Sequence, residues 1–361
     1  WSHRDLLRLA HPAPDGEARK ALYRWATGAE DVPLEALTGL AAGLEQLKRA
    51  ENESQVVGLI HCYQAPREVI STQHLSSPVV WSALLPHLGL TALLRNLGNL
   101  SKVGLLVRGG GAACEIAARI TDRQALRRAR VHPLQVLAAL ITYQQGHGMR
   151  GSGQWAVAPE VVEALNRAFD LTFENVVPTG KRLYLALDVS GSMGMGVVSG
   201  IPGLTPRAAS AALAMITINT EKEVILRGFQ TEMTPLAVRK GMSLEAVTRA
   251  VSNLPFGGTD CALPVLDALK HNLAVDAFIV YTDSETWAGK IHPVQALREY
   301  RQKTGIPARL VVVGMTSNGF TIADPEDAGM LDVVGFSTNT PSAISDFITG
   351  RLGAGEAGTE D

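Results

Sequence analysis

An Asp-x-Ser-x-Ser motif that begins at Asp188 directly follows an apolar run of residues. It places one carboxylate and two hydroxyls on a short segment, and hard oxygen ligands with little total charge suit Mg²⁺, which keeps several waters. Two later segments offer more oxygens, because Thr259 follows a Gly-Gly pair and Asp283 ends a second apolar run. We therefore predict a divalent cation site, with Mg²⁺ the best match, formed by Asp188, Ser190, Ser192, Thr259 and Asp283.

Two other interpretations of the same motif are open. Serine and aspartate at a strand end often cap the following helix, so Ser190, Ser192 and Asp283 could be helix caps. A phosphoryl-transfer enzyme would favour Asp-x-Asp, whereas Ser190 occupies the second position here. The sequence also lacks a Gly-x-Ser-x-Gly elbow, a P-loop and a Gly-x-Gly-x-x-Gly after a strand. We therefore expect a protein that is not an enzyme, with a metal-dependent phosphohydrolase as the less favoured alternative.

The pattern of apolar residues explains how these side chains could meet. From residue 176 onward, short apolar runs typical of buried strands alternate with segments of helical periodicity. The predicted strands are 183–188, 223–229, 277–283 and 309–315, and the predicted helices are 206–219, 243–252, 262–270, 293–303 and 341–350. This alternation predicts βαβ units and a parallel, Rossmann-like sheet covered on both faces. Ligands of such sheets bind beyond the carboxyl ends of the strands, where both aspartates fall.

Residues 1–175 show mainly helical periodicity, interrupted by proline and glycine. The predicted helices are 6–9, 19–28, 34–49, 53–61, 78–85, 89–97, 112–119, 122–129, 133–144 and 159–171. Short helices joined by turns favour a stack of helical pairs, as in HEAT-like α-solenoids. We predict a multidomain α and α/β chain with a helical-repeat region at 1–175, an α/β domain at 176–352 and a flexible tail at 353–361.

Composition excludes several classes of protein. With 46% hydrophobic and 19% charged residues, the chain can bury a large core, which excludes wholesale disorder. No run of about 18 uncharged apolar residues occurs, so we expect no membrane-spanning segment. The three cysteines are widely spaced and form neither a disulfide framework nor a zinc pattern. They favour a reducing, cytoplasmic location.

Positive charge is concentrated in residues 95–150. This window has nine Lys and Arg but only two acids, whereas the whole chain has a net charge of −2. The basic residues are Arg95, Lys102, Arg108, Arg119, Arg123, Arg127, Arg128, Arg130 and Arg150. Such a strip is typical either of a solvated helical face or of a surface that binds a polyanion, and charge alone favours the solvated face.

Several longer stretches resemble the Ro ribonucleoprotein autoantigen family. Those similar to the family's TROVE module are TALLRNLG at 91–98, RVHP at 130–133, GHGMRG at 146–151 and PTGKR at 178–182. The cation motif resembles the metal-ion-dependent adhesion site of von Willebrand factor A domains. Stretches similar to the A domain of Ro proteins are GGTDC at 257–261 and GMTSNGFTIADP at 314–325. The resemblance runs from about residue 1 to 350, and the compact length favours a bacterial relative.

This resemblance implies RNA binding. In the family, helical repeats close into a ring against the A domain, Y RNAs bind the basic outer surface, and single-stranded ends of misfolded small RNAs enter the hole. The family's module begins well upstream of the residues that match Trp1, so about half of the ring is expected to be missing and the chain to be N-terminally shortened. In the A domain, the metal leaves an open position for an acidic group of a partner.

The resemblance also supplies RNA-binding candidates. Segment 67–74 matches a family stretch that contributes to RNA contact, with Arg67 and His74 as the candidates, and Arg95 lies in a matching RNLG stretch. The predicted set is completed from the basic strip by Arg127, Arg128, Arg130 and Arg150. Only 5% of residues are aromatic, too few for a base-stacking platform, so phosphate contact and recognition of shape should dominate.

Simpler roles for some candidates are also open. Arg95 could be a structural arginine that bonds helix ends, and His74 could be a satisfied surface histidine. Arg150 could face the interior of a ring, and it could equally have only a structural role. His132, before a proline, is expected to start a helix.

We therefore expect a non-catalytic, monomeric protein that binds Y-like RNAs and misfolded or defective small noncoding RNAs. It would act in RNA quality control or degradation with a partner nuclease such as polynucleotide phosphorylase. The alternative is a metal-dependent protein-binding module, with an acidic protein ligand at the metal, carried on a helical scaffold.

Overall fold

The computed structural model describes residues 2–148, 153–198, 201, 203–252, 258–283, 289–316, 322–337 and 339–352. The chain forms two compact units, Trp1–Glu115 and Ile116–Asp361. The predicted domain bounds at 1–175 and 176–352 remain a prediction, and the tail at 353–361 lies outside the described residues.

The first unit is helical, as predicted. Its helices are α1 (His3–Ala10), α2 (Glu17–Ala26), α3 (Gly39–Lys48), α4 (Glu53–Tyr63), α5 (Pro78–Leu84) and α6 (Leu90–Lys102), and α7 (Gly111–Ile120) crosses into the second unit. Local chemistry sets the starts of several helices, since Asn52 caps α4 and Ser77 caps α5 through side-chain oxygens.

The single helix predicted at 34–49 is wrong. A short 3-10 turn, Leu34–Ala36, is followed by extended backbone, and α3 begins only at Gly39. Gly39 has a φ of +56°, a left-handed conformation that interrupts a helix and that glycine adopts readily. The break lets Leu37 pack with the buried residues Ala21 and Ala41.

The second unit begins with helices that precede the α/β part. They are α8 (Arg123–Arg128), α9 (Pro133–Gln144) and α10 (Pro159–Leu171). The amide of Asn175 ties the residues after α10 to the end of α8, because its Nδ2 donates to the carbonyls of Leu126 at 3.2 Å and Val131 at 2.8 Å. None of the described helices is long and apolar enough to cross a membrane.

A six-stranded sheet forms the centre of the α/β part. Its strands are β1 (Leu183–Asp188), β2 (Val224–Phe229), β3 (Met233–Pro235), β4 (Ala277–Thr282), β5 (Arg309–Gly314) and β6 (Met330–Val334). The spatial order is β3-β2-β1-β4-β5-β6, and every neighbouring pair is parallel except β2 and β3. The predicted all-parallel sheet therefore needs a correction, because a three-residue antiparallel edge strand is too short to show periodicity.

Helices flank this sheet, and the strand order fixes where a ligand could bind. They are α11 (Pro206–Thr220), α12 (Leu244–Ser252), α13 (Leu263–Lys270), α14 (Pro293–Thr304) and α15 (Thr340–Thr349). β1 lies between β2 and β4, so the order of strands along the chain reverses at β1 and β4. The register pairs Leu187 with Tyr281, which brings the carboxyl ends of both strands side by side. This topological switch point is the usual binding crevice of open α/β sheets.

Candidate metal centre and candidate nucleic-acid surface

Asp188 lies at the centre of the oxygen cluster at this switch point. It is the last residue of β1 and only 1% exposed. Its Oδ1 accepts the backbone N–H of Ser190 at 2.8 Å, and its Oδ2 accepts hydroxyl bonds from Thr282 at 2.8 Å and Thr259 at 3.4 Å. Thr282, which ends β4, is absent from the predicted set; the signal for it was its place beside Asp283 at a strand end.

The two serines of the motif face each other. The Oγ atoms of Ser190 and Ser192 are 3.1 Å apart. Adjacent ligands of an octahedral ion with bonds of 2.0–2.1 Å are about 3 Å apart, so this spacing suits two hydroxyl ligands of Mg²⁺. The cap interpretation of Ser190 is wrong, because Thr205 caps α11 instead. The short turn that starts at Ser192 has no side-chain cap bond either.

Two buried acids, Asp188 and Asp283, lie at this end of the sheet. Burial raises the pKa of Asp188 to about 6, and the nearby charge of Asp283 adds to the rise. Asp283 is 9% exposed, and its backbone carbonyl accepts a bond from the Thr316 hydroxyl at 3.2 Å. The described residues contain no group of three or more His, Cys, Asp or Glu arranged to hold a metal ion, so hydroxyl oxygens would have to complete a metal shell. The two carboxylates and nearby hydroxyls are a donor set that fits a hard divalent cation.

Arg207 contacts the same loop and was not predicted. Its Nη2 donates to the backbone carbonyl of Ser190 at 2.8 Å, and its Nη1 lies 3.4 Å from the carbonyl of Ser252. Burial lowers the pKa of Arg207, and the charge of Asp188 opposes that shift. The available signal in the sequence was a single arginine on an otherwise uncharged helical segment, 206–220.

In the first unit, the RNA-binding candidates differ in exposure. Arg67 is half-buried, and its Nε is buried without a hydrogen-bond partner among the described residues. His74 is 9% exposed, with its Nε2 at 3.1 Å from the Gln73 amide nitrogen. The structure therefore corrects the interpretation of His74 as a surface histidine. Arg95 is exposed on α6 without an ion pair in the described part of the chain.

In the second unit, three arginines surround the end of α8. Arg127 and Arg128 form its last turn and Arg130 follows with a φ of +48°, and all three are exposed. None of them pairs with an acid in the residues that the structure covers. By contrast, Arg123 on the same helix lies 3.5 Å from Glu174. Arg150 lies outside the described residues.

His132 starts α9, as expected. Its Nδ1 accepts the backbone N–H of Leu134 at 3.2 Å, and the Gln135 side chain accepts the backbone N–H of His132 at 3.3 Å. Burial lowers the pKa of His132. Its role is therefore that of a helix cap, which requires the neutral ring.

Comparison with known proteins identifies the family to which this chain belongs. Residues 64–181 match the TROVE domain and residues 182–348 match the Ro60 vWA domain. The RNA-binding protein RO60 of Deinococcus radiodurans is 43% identical over 355 residues, which cover 98% of this chain and 66% of the relative. The RNA-binding protein RO60 of Caenorhabditis elegans is 36% identical over 400 residues, which cover 98% of this chain and 61% of the relative.

A solved structure agrees with these matches. The crystal structure of the Deinococcus radiodurans RO (RSR) protein superposes with a TM-score of 0.89 at 43% identity, over 97% of this chain and 71% of that chain. The chain thus spans just under two thirds of the length of the curated relatives it matches. It belongs to the Ro protein family, in which a TROVE domain is joined to a von Willebrand factor A domain.

Proposed function

We propose that this chain is a non-catalytic, monomeric RNA-binding protein whose helical part, residues 1–175, holds small structured RNAs. Y-like RNAs and misfolded or defective noncoding RNAs are the substrate class that the family implies. The protein would retain them for quality control, or pass them to a nuclease such as polynucleotide phosphorylase in the cytoplasm. Two relatives named RNA-binding protein support the proposal.

The observation that carries the proposal is the pairing state of the cations. Six basic residues between 95 and 130 are exposed and have no acidic partner among the described residues: Arg95, Lys102, Arg108, Arg127, Arg128 and Arg130. In the α/β part, many basic residues are instead neutralised locally: ion pairs join Arg182 to Asp276, Arg249 to Glu245, Arg298 to Asp324, Arg301 to Asp327 and Lys303 to Glu299.

Phosphate groups bind most readily to cations that have no acidic partner. A cation that already has an acid partner must give up that interaction to bind a phosphate, whereas an unpaired, solvated cation needs only to release counterions from the RNA. This difference favours the RNA-binding surface over a merely solvated helical face. Unpaired cations also occur in the α/β part, as at Arg239, so the assignment of RNA contact to the helices rests on the concentration of such cations between residues 95 and 130.

We propose that the oxygen cluster holds Mg²⁺ or a similar divalent cation. Ser190, Ser192 and Thr259 would be ligands, with Asp188 and Asp283 bound directly or through water. The cation would neutralise the two buried acids and fix the loops around them, and an open position could accept an acidic group of a partner protein. A metal-dependent protein-binding role for the α/β part is thus compatible with RNA binding by the helices.

Charge reversal tests the RNA proposal directly. We expect the double variant Arg127→Glu and Arg128→Glu of the full chain to lose about tenfold or more in affinity for a small structured RNA, for all such RNAs alike. The matched control is Arg239→Glu, which reverses an exposed, unpaired arginine of the α/β part. Filter binding at low salt measures both. Equal affinity of the double variant and the control would exclude Arg127 and Arg128 from the binding surface.

A further inference from the structure

Arg207 is an unusual residue for its position. It is the only charged residue of α11, and ten other residues of that helix are buried. Its guanidinium is half-buried, and its Nε is buried with no hydrogen-bond partner in the part of the chain that the structure describes. A buried N–H without a partner costs free energy. An uncharged residue such as methionine would fill the same space without that cost, so packing alone does not account for an arginine here.

The guanidinium joins the loop after β1 to the end of α12. Its Nη2 bonds the carbonyl of Ser190, which lies in the loop after β1. Its Nη1 lies 3.4 Å from the carbonyl of Ser252, the last residue of α12. A single planar group thus ties the loop that carries Ser190 and Ser192 to the end of α12.

Ser190 is held from both sides of its backbone. Its N–H donates to Asp188, and its carbonyl accepts from Arg207. Fixing both groups holds the backbone that carries the Ser190 hydroxyl, whose Oγ is 3.1 Å from that of Ser192. The loop also lies directly against the guanidinium, because a Cβ on Gly194 would be 3.3 Å from Arg207 Nη1.

We infer that Arg207 is a positioning residue that holds the loop after β1 in the arrangement in which its hydroxyls can bind a cation. The inference rests on the proposed cation site. The charge of Arg207 has the opposite effect on affinity, because it attracts Asp188 and repels a second cation. Removing Arg207 should therefore weaken cation binding if positioning dominates, and strengthen it if charge dominates.

A titration of the full chain with Mn²⁺, followed by electron paramagnetic resonance, shows whether removal of Arg207 weakens or strengthens cation binding. We expect Arg207→Met to weaken Mn²⁺ binding at least tenfold. We expect Arg207→Lys, which keeps the charge but can reach only one carbonyl, to weaken it by less. Equal or tighter binding by the Met variant overturns the inference, as does unchanged binding by the Lys variant if the Met variant does not fold.

Arg301→Met is the matched control. Arg301 is another half-buried arginine that bonds a backbone carbonyl, since its Nε donates to Ala308 at 2.8 Å. This bond lies just before the start of β5, whereas the candidate site lies at the carboxyl ends of the strands. Its loss should lower stability and leave Mn²⁺ binding unchanged.

Amide hydrogen exchange of the metal-free full chain separates the two proposals. We expect residues 189–195 to exchange faster in Arg207→Met than in Arg301→Met. Equal exchange in that segment overturns the positioning role. A wild type that binds no Mn²⁺, or an Asp188→Ala variant that binds it as well as wild type, refutes the cation site alone, while the exchange result still decides the role of Arg207.

Discussion

Replacing Asp188 by asparagine should make the metal-free protein more stable above pH 6, although it removes a residue of the candidate cation site. Burial raises the pKa of Asp188 from 3.8 to about 6, and a shift of this size corresponds to about 3 kcal/mol of cost for the ionised form. Asparagine keeps the shape but loses one accepted hydrogen bond, worth about 1 kcal/mol. We therefore expect a net gain of about 2 kcal/mol in the free energy of unfolding.

The pH dependence of stability follows from the direction in which folding shifts the pKa of Asp188. Because the pKa is raised in the folded state, the unfolded chain loses this proton first, and wild type loses stability as pH rises from about 4 to 6. The advantage of Asp188→Asn should be complete above pH 6 and should disappear below pH 4. Mg²⁺ at a hundredfold excess over its Kd should stabilise wild type by about 2.7 kcal/mol and the variant much less, which reverses their order.

Urea denaturation in EDTA at pH 7.5 and pH 4.0, and again with Mg²⁺, measures these effects. Asp276→Asn is a control of opposite sign, because its hydrogen bonds to Arg182 lower the pKa of Asp276; that variant should lose stability at pH 7.5. An Asp188→Asn variant that is less stable than wild type in EDTA at pH 7.5, or that gains as much from Mg²⁺, would refute the reasoning.

Two further variants test local features of the helical residues. Asn175→Ala removes the amide bonds to Leu126 and Val131, so the free energy of unfolding should fall by about 2 kcal/mol in urea; a change below about 0.5 kcal/mol would contradict the assigned bonds. The lowered pKa of His132 means that its cap contributes fully above pH 6.5 and is lost as pH falls below that value. Comparison of His132→Asn with wild type at pH 7.5 and 5.5 should show that wild type loses more stability on acidification, and equal losses would argue against the neutral-ring cap.

The main strands of the sheet could be predicted from the sequence because buried strands consist of uninterrupted runs of apolar residues. β1 and β4 are such runs, and Asp188 and Asp283 lie at their carboxyl ends. The sequence alone therefore indicated that these two acids lie at the same end of the sheet. β3 and β6 were not predicted. The first has only three residues, and the second contains Asp332, which breaks its apolar run.

Contacts that depend on tertiary packing could not be read from the sequence. The bond from Thr282 to Asp188 joins residues 94 positions apart, and no local pattern indicates it. Arg207 was missed for the same reason, since its partners come from two other segments. For the basic strip, counting charges could not separate Arg123, which has Glu174 nearby, from Arg127 and Arg128, which have no acidic partner among the described residues.

The salt dependence of RNA affinity tests the central claim most directly. Four to six phosphate contacts by the unpaired cations predict that log K falls against log salt with a slope of about −3 to −5, since each contact contributes −0.7 to −0.9. A filter-binding titration of the full chain with a small structured RNA gives this slope, and EDTA should leave it unchanged. No measurable binding at low salt, or an affinity that does not depend on salt, would contradict the account.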